Sequence, residues 1–182
     1  MLERDEYGYV VKIVSNFPYH PWWRLTAQLV EGFRDKKKTG LVSSVGIYSP
    51  KFGLGSFENP KMIGRGEVDA GIINPPVTAK LAMEGKGPYK EPVGELRAIA
   101  RFPEPDYIFW LLACREDMPE ELAYLLARVS TDQRDAIAAP YKDRPKHLQS
   151  FEIPITPQRL CTKCVIPLHR GAEKYYREIG AL

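Results

Sequence analysis

The chain has 182 residues, of which 44% are hydrophobic and 27% charged, and a formal net charge of +3. That length suits one compact domain with a substantial core, and the composition is that of a globular chain rather than a disordered or fibrous one. The small net charge gives no support to a nucleic-acid partner, and the single basic run, Lys36-Lys37-Lys38, reads as a solvated helix end.

The opening residues, Met1-Leu2-Glu3-Arg4-Asp5-Glu6-Tyr7, are acidic and mixed and lack the apolar stretch of an ordinary signal peptide. No apolar run approaches the roughly 20 residues that span a bilayer. The expected location is therefore cytoplasmic as the chain stands, or periplasmic if a leader has been removed, with no direct membrane insertion. Of the three cysteines, Cys114 sits in an apolar strand, and Cys161 and Cys164 form Cys-Thr-Lys-Cys. A zinc site needs two further ligands at suitable spacing, and His20, His147 and His169 are scattered. A redox pair belongs at the start of a helix after a strand, whereas this pair lies between Pro157 and Pro167. The thiols read as incidental, and neither a metal nor another cofactor is expected.

Tyr9 to Ser15 is rich in β-branched residues and reads as a first strand. After the turn Asn16-Phe17-Pro18-Tyr19-His20-Pro21, Trp22, Leu25, Leu29 and Phe33 recur at helical spacing and predict a helix from Trp22 to Arg34. Leu41 to Tyr48 is the second strand, Ser49 to Ser56 a loop, and Glu58 to Arg65 a short helix. Val68 to Ile73 is the third strand and stops at Asn74-Pro75-Pro76. Pro76 suits the first turn of a helix from Val77 to Met83. Strand and helix in alternation argue for a parallel sheet wrapped by helices. Two further strands follow, Leu96 to Phe102 and Tyr107 to Cys114, then a helix from Pro119 to Val129 and a second one toward Pro140. Pro140 to Pro167 has several prolines and little periodicity, so an extended wrapping segment is expected there. A terminal helix runs from Gly171 to Ile179.

In such a sheet, ligands gather at the carboxyl ends of the strands, where helix N-termini present free N–H groups. Three junctions qualify: Ser15 to Trp23, Gly53-Leu54-Gly55-Ser56, and Asn74 to Thr78. The candidate ligand-binding residues are Ser15, Asn16, Tyr19, Trp23, Gly55, Ser56, Asn74 and Pro75. Several neighbours have plainer roles. Trp22 begins the apolar stripe and reads as core, Asp69 orients a strand start or pairs with a basic neighbour, and His169 caps or packs at a helix entry. Gly53 and Gly55 also read as a simple turn. No spacing singles out a catalytic triad or a phosphate-binding loop, so no catalytic residue is assigned.

Arg65-Gly66-Glu67-Val68-Asp69-Ala70-Gly71-Ile72-Ile73, with Ala79 and Ala82 on the next helix, resembles a phrase of the TAXI solute receptors that serve TRAP transporters. Gly94 to Arg101 and the closing stretch Ile166 to Gly180 are similar to the same family. The resemblance covers residues 9–114 and 165–180. It implies a three-layer, doubly wound, mostly parallel α/β sheet with one antiparallel strand contributed late, equivalent to a single lobe of a type II periplasmic binding protein. Residues 1–139 would form the lobe core. Residues 107–118 would mark a deleted second lobe, lost between Cys114 and Met118. Residues 140–182 would be a wrapping segment and terminal helix of the same domain.

The implied function is recognition of a small carboxylate-type anionic solute. TRAP membrane subunits enter as partners only through the resemblance. A lone lobe leaves one face of the ligand in water, which weakens every electrostatic contact, so a homodimer contacting through Tyr19 and Trp23 is expected to supply the second wall. The first rival is a ligand-free cytoplasmic interaction or regulatory module. The second is a lyase or transferase on the same fold, with His20 as its nearest ionisable group.

Overall fold

A computed structural model describes residues 4–5, 8–16, 20–34, 44–48, 55–103, 109–145 and 153–182. Strand β1 (Arg4–Asp5) leads into β2 (Gly8–Val14), α1 (Pro21–Arg34), β3 (Ser44–Tyr48), α2 (Gly55–Gly64), β4 (Ala70–Ile73) and α3 (Val77–Glu84). Then come β5 (Leu96–Pro103), β6 (Phe109–Arg115), α4 (Glu120–Asp132), α5 (Arg134–Ala138), a 3-10 turn (Ala139–Tyr141), α6 (Pro157–Cys161) and α7 (Arg170–Glu178). The elements follow the expected order, with two corrections. The loop expected from Ser49 to Ser56 gives way at Gly55, so Gly55 and Ser56 open a helix. The expected extended stretch from Pro140 to Pro167 contains α6, which starts at Pro157 because Thr156 caps it through the Arg159 N–H and proline is tolerated at a first helical position.

The long strands lie in the order β3-β2-β4-β6-β5, and β1 pairs with the start of β2. Strand β2 is parallel to β3 and β4, whereas β6 is antiparallel to both β4 and β5. It follows that β2, β3, β4 and β5 all run one way and β6, the last, runs against them. This is the α/β lobe with a late antiparallel strand that the sequence implies. The connection from β6 to α4, Arg115 to Met118, turns at the end of the sheet where β5 begins, since Leu96 pairs with Arg115 and the Glu116 N–H donates to the Glu95 carbonyl at 2.9 Å.

Two apolar layers sandwich the sheet. On one face, Val11, Ile13, Ala70, Ile72, Phe102 and Leu112 pack with the apolar stripe of α1 and with α4, α6 and α7. Trp22, Leu25, Leu29 and Phe33 are all buried, as their spacing predicts. On the other face, Val14, Ile73, Leu111 and Ala113 pack with Ile63 of α2 and Ala79 of α3. A bulge between Ala98 and Ala100 shifts the alternation of β5, so that alternate residues change face beyond it. Leu96 and Ala98 join the second layer, while Ile99, Ala100 and Phe102 join the first.

The C-terminal segment closes the β5 edge, which would otherwise present unpaired backbone groups. The Ala98 N–H donates to the Pro167 carbonyl and the His169 N–H to the Ala98 carbonyl, each at 2.8 Å. His169 then caps α7: its Nδ1 accepts from the Gly171 N–H at 3.1 Å, and its Nε2 faces the Glu116 carbonyl at 3.0 Å. Accepting at Nδ1 makes Nε2 the protonated nitrogen, so this buried ring is neutral, and burial holds its pKa below the ordinary 6.5.

Two predictions follow from this packing. A Cβ at Gly171 would lie 2.0 Å from the Glu120 carbonyl oxygen in α4. Gly171→Ala therefore destabilises the chain by about 1–3 kcal/mol, although glycine-to-alanine in an exposed helix stabilises by about 1 kcal/mol; a denaturation midpoint that rises would contradict the packing. For His169, the unfolded chain takes up its proton before the folded one does. Its contribution is therefore present above the ordinary histidine range and is lost as pH falls toward the depressed folded value. The melting temperature should drop between about pH 7 and pH 5.5. His169→Asn, which keeps a cap acceptor but cannot titrate, should make that drop smaller.

Candidate functional site

The carboxyl ends of β2 and β4 lie side by side. Ile13 pairs with Ala70 and Val14 with Gly71, and there the ladder between them stops. The next carbonyls, those of Ser15 and Ile72, would be left unsatisfied inside the protein. Asn59, projecting from α2 and fully buried, donates its amide hydrogens to both, at 2.8 Å to Ser15 and 2.7 Å to Ile72. One side-chain amide thus replaces two ladder bonds and seats α2 over the ends of β2 and β4. With both N–H groups aimed at carbonyls, the orientation of the amide is fixed, and its Oδ1 is buried without a hydrogen-bond partner.

Ser15 and Asn16 are buried at 0% and 6% exposure, and Asn74, just past β4, is half-buried. The Ser15 hydroxyl also has no hydrogen-bond partner, an arrangement that costs stability unless a ligand or water group completes it. Side chains alternate along β2, so Ser15 follows Val11 and Ile13 toward the α1 layer. On that side stand Trp22 and Trp110, with ring centroids 6.2 Å apart, and His20, 5.0 Å from Trp22. The His20 Nδ1 accepts from the Trp22 N–H at 3.3 Å at the start of α1, and burial lowers its pKa, so the ring there is uncharged.

The structure brings Ser15, Asn16 and Asn74 to neighbouring strand ends, and Gly55 and Ser56 to the start of the helix seated over them. Pro75 is exposed, joined to Asn74 by a cis peptide bond, and leads into α3, where the Thr78 and Ala79 N–H groups donate to the Pro75 and Pro76 carbonyls, each at 3.0 Å. Trp23 lies apart from them, lining a groove between α1 and the segment Ala136 to Tyr141. Tyr19 is outside the described residues. Phe57 and Val77, in the first turns of α2 and α3, are exposed at 44% and 49%.

Sequence reasoning missed Asn59 and Trp110. Asn59 looks like an ordinary helix residue before Pro60. Trp110 lies within the apolar run Tyr107 to Cys114 and reads as strand core, away from any strand's carboxyl end. Strand β6 runs the other way, so its beginning reaches the site: Leu111 pairs with Ile73, which places Trp110 one step further, level with Asn74. The antiparallel sense of β6 is the signal that would have found it.

Asp69 takes the plainer part expected of it at a strand start. Asp69 accepts from the Lys12 N–H at 2.7 Å and returns its own N–H to the Lys12 carbonyl at 2.9 Å, orienting the start of β4, and burial raises its pKa. All three thiols are free. Cys161 donates to the Ala181 carbonyl at 3.4 Å, and burial pushes Cys164 up to about 12, far from a reactive thiolate. Among the described residues no group of three or more His, Cys, Asp or Glu could hold a metal ion, and no helix is long and apolar enough to cross a membrane.

Removing the Asn59 amide should strand two buried carbonyls. Asn59→Ala is expected to cost about 2–4 kcal/mol in chemical denaturation. Asn59→Asp, which sets a carboxylate against two carbonyl oxygens, should lose more at neutral pH than in acid, where the carboxyl regains a proton to donate. Full stability in Asn59→Ala would remove the amide from the architecture of the site.

Residues 108–180, less than half of the chain, match the model of the NMT1-like family, a periplasmic-binding-protein-like family. The match runs from β6 to the end of α7, so it includes Trp110 and His169 and leaves Ser15, Asn59 and Asn74 outside. No curated protein matches the chain. What the fold and this match support together is a solute-binding-type lobe, similar in its C-terminal part to the NMT1-like proteins.

Proposed function

We propose that the chain recognises a small carboxylate-bearing solute at the carboxyl ends of β2 and β4, as TAXI-type receptors of TRAP transporters do. Ser15, Asn16, Asn74 and the opening turns of α2 and α3 supply the contacts. The observation that carries this reading is the Ser15 hydroxyl, buried at a strand end with nothing to bond. Its hydrogen is free to donate to a carboxylate, and neighbouring helix N-termini favour the same charge. Glu58 in the first turn of α2 would oppose an anion, but Lys61 and Arg65 approach it at 3.2 and 3.5 Å and neutralise it.

Such a site needs a second wall to exclude water. We assign that wall to a second copy of the chain, docking over the exposed Phe57, Pro75 and Val77 around the strand ends. Of the two residues expected to make the contact, Trp23 lines the groove beside α1 and Tyr19 lies outside the described residues. The turn from Cys114 to Met118, where the resemblance places a lost lobe, lies at the end of the sheet opposite Ser15 and Asn74. The same exposed Phe57 and Val77 favour one other reading, a ligand-free interaction module.

Calorimetric titration with amino acids and dicarboxylates separates the two. Saturable binding tighter than about 1 mM is expected, weakened about tenfold in Ser15→Ala. Sedimentation should show a dimer that Phe57→Asp dissociates. A dimer that gives no heat with any carboxylate at about 10 mM would leave the interaction module in place of solute binding.

A further inference from the structure

A second cleft lies away from the strand ends, between the C-terminal half of α2 and residues 88–93. Its volume is about 370 Å³, within the range of small-molecule sites. We infer that it is a binding site for the phosphate monoester of a small organic molecule. Three cations line it, Lys61, Arg65 and Lys90, against one lining carboxylate, Glu91. Lys61 and Arg65 rest on Glu58 at 3.2 and 3.5 Å, and Arg65 also reaches Glu67 at 3.4 Å. These pairs are partly or largely exposed, and pairs of that kind are weak enough to be exchanged for a ligand. Lys90 is exposed and makes neither an ion pair nor a hydrogen bond among the described residues. A planar guanidinium beside two ammonium groups suits a phosphate, which accepts two parallel bonds from arginine and point charges from lysine.

The opposite wall is fixed in advance of binding. Tyr89 is 5% exposed and its hydroxyl donates to the Phe57 carbonyl at 3.1 Å. The Val93 N–H donates to the Ala82 carbonyl at 3.0 Å, and the Val93 carbonyl approaches Gly64 so closely that a Cβ there would lie 2.1 Å away. Pro88 and Pro92 restrict the backbone between these anchors. Proline surface beside the Tyr89 ring, over which Lys61 lies at 5.8 Å, offers a place for the carbon skeleton of an ester next to the cations that would take its phosphate. Preorganisation of this sort lowers the ordering cost of binding.

The test is calorimetry on the whole chain with glycerol phosphate, inorganic phosphate and glycerol at low ionic strength. The ester should bind saturably and more tightly than inorganic phosphate, with glycerol silent. Lys90→Glu and Arg65→Gln should each weaken it about tenfold with unchanged denaturation midpoints, and added salt should weaken it further. Titration of carboxylates should be unaffected by Lys90→Glu, which keeps this site independent of the strand-end reading. Absence of saturable heat at about 10 mM ester, equal affinity for inorganic phosphate, or indifference to both substitutions would each overturn the assignment.

Discussion

The Asn59 amide holds the carboxyl ends of β2 and β4 together. Strands β2 and β4 share only a short ladder, and the chain must leave each of them for a helix on one side of the sheet or the other. Wherever a strand pair opens in this way, the carbonyls just beyond the last rung lose their partners, and inside a protein that loss is expensive. Asn59 donates to both carbonyls at once. The bond pair fixes the splay of β2 and β4, sets the height of α2 above them, and leaves Ser15 buried with its hydroxyl uncommitted.

Charge at this end is arranged by the same few residues. The opening turn of α2 carries Glu58, which by itself would repel an anion, yet its carboxylate is held by Lys61 and Arg65 further along the helix. Burial lowers the pKa of both His20, beside α1, and His169, capping α7. The polar side chains at these strand ends, Ser15, Asn16 and Asn74, are uncharged, and the Trp22 and Trp110 rings stand on the α1 side of them.

The similarity to NMT1-like proteins sits in the C-terminal part of the chain, from β6 to α7. That region contributes the antiparallel strand, the helix α4 that backs it, and the terminal helix that seals the β5 edge. The residues proposed to meet a solute come from the N-terminal part, outside the match. The two stretches meet along the β4–β6 ladder, from Ala70 with Cys114 to Ile73 with Leu111, and where Trp22 packs on Trp110.

The sequence alone determined most of the elements. The three- and four-residue spacing of Trp22, Leu25, Leu29 and Phe33 dictates a helix with one buried face, and β-branched runs dictate strands, because these preferences act over a few neighbouring residues. It also placed Ser15, Asn16 and Asn74 at strand ends, since an abrupt stop at a polar or proline-rich turn is a local signal. Tertiary structure alone decided which ends meet, that Trp23 turns away into a groove, and that Asn59 and Trp110 belong to the site. Asn59 finds its acceptors 44 and 13 residues distant in the chain, and Trp110 arrives on a strand whose direction reverses the rule about carboxyl ends. Both depend on strand order and sense, which arise from pairing between distant segments and leave no mark on the residues themselves.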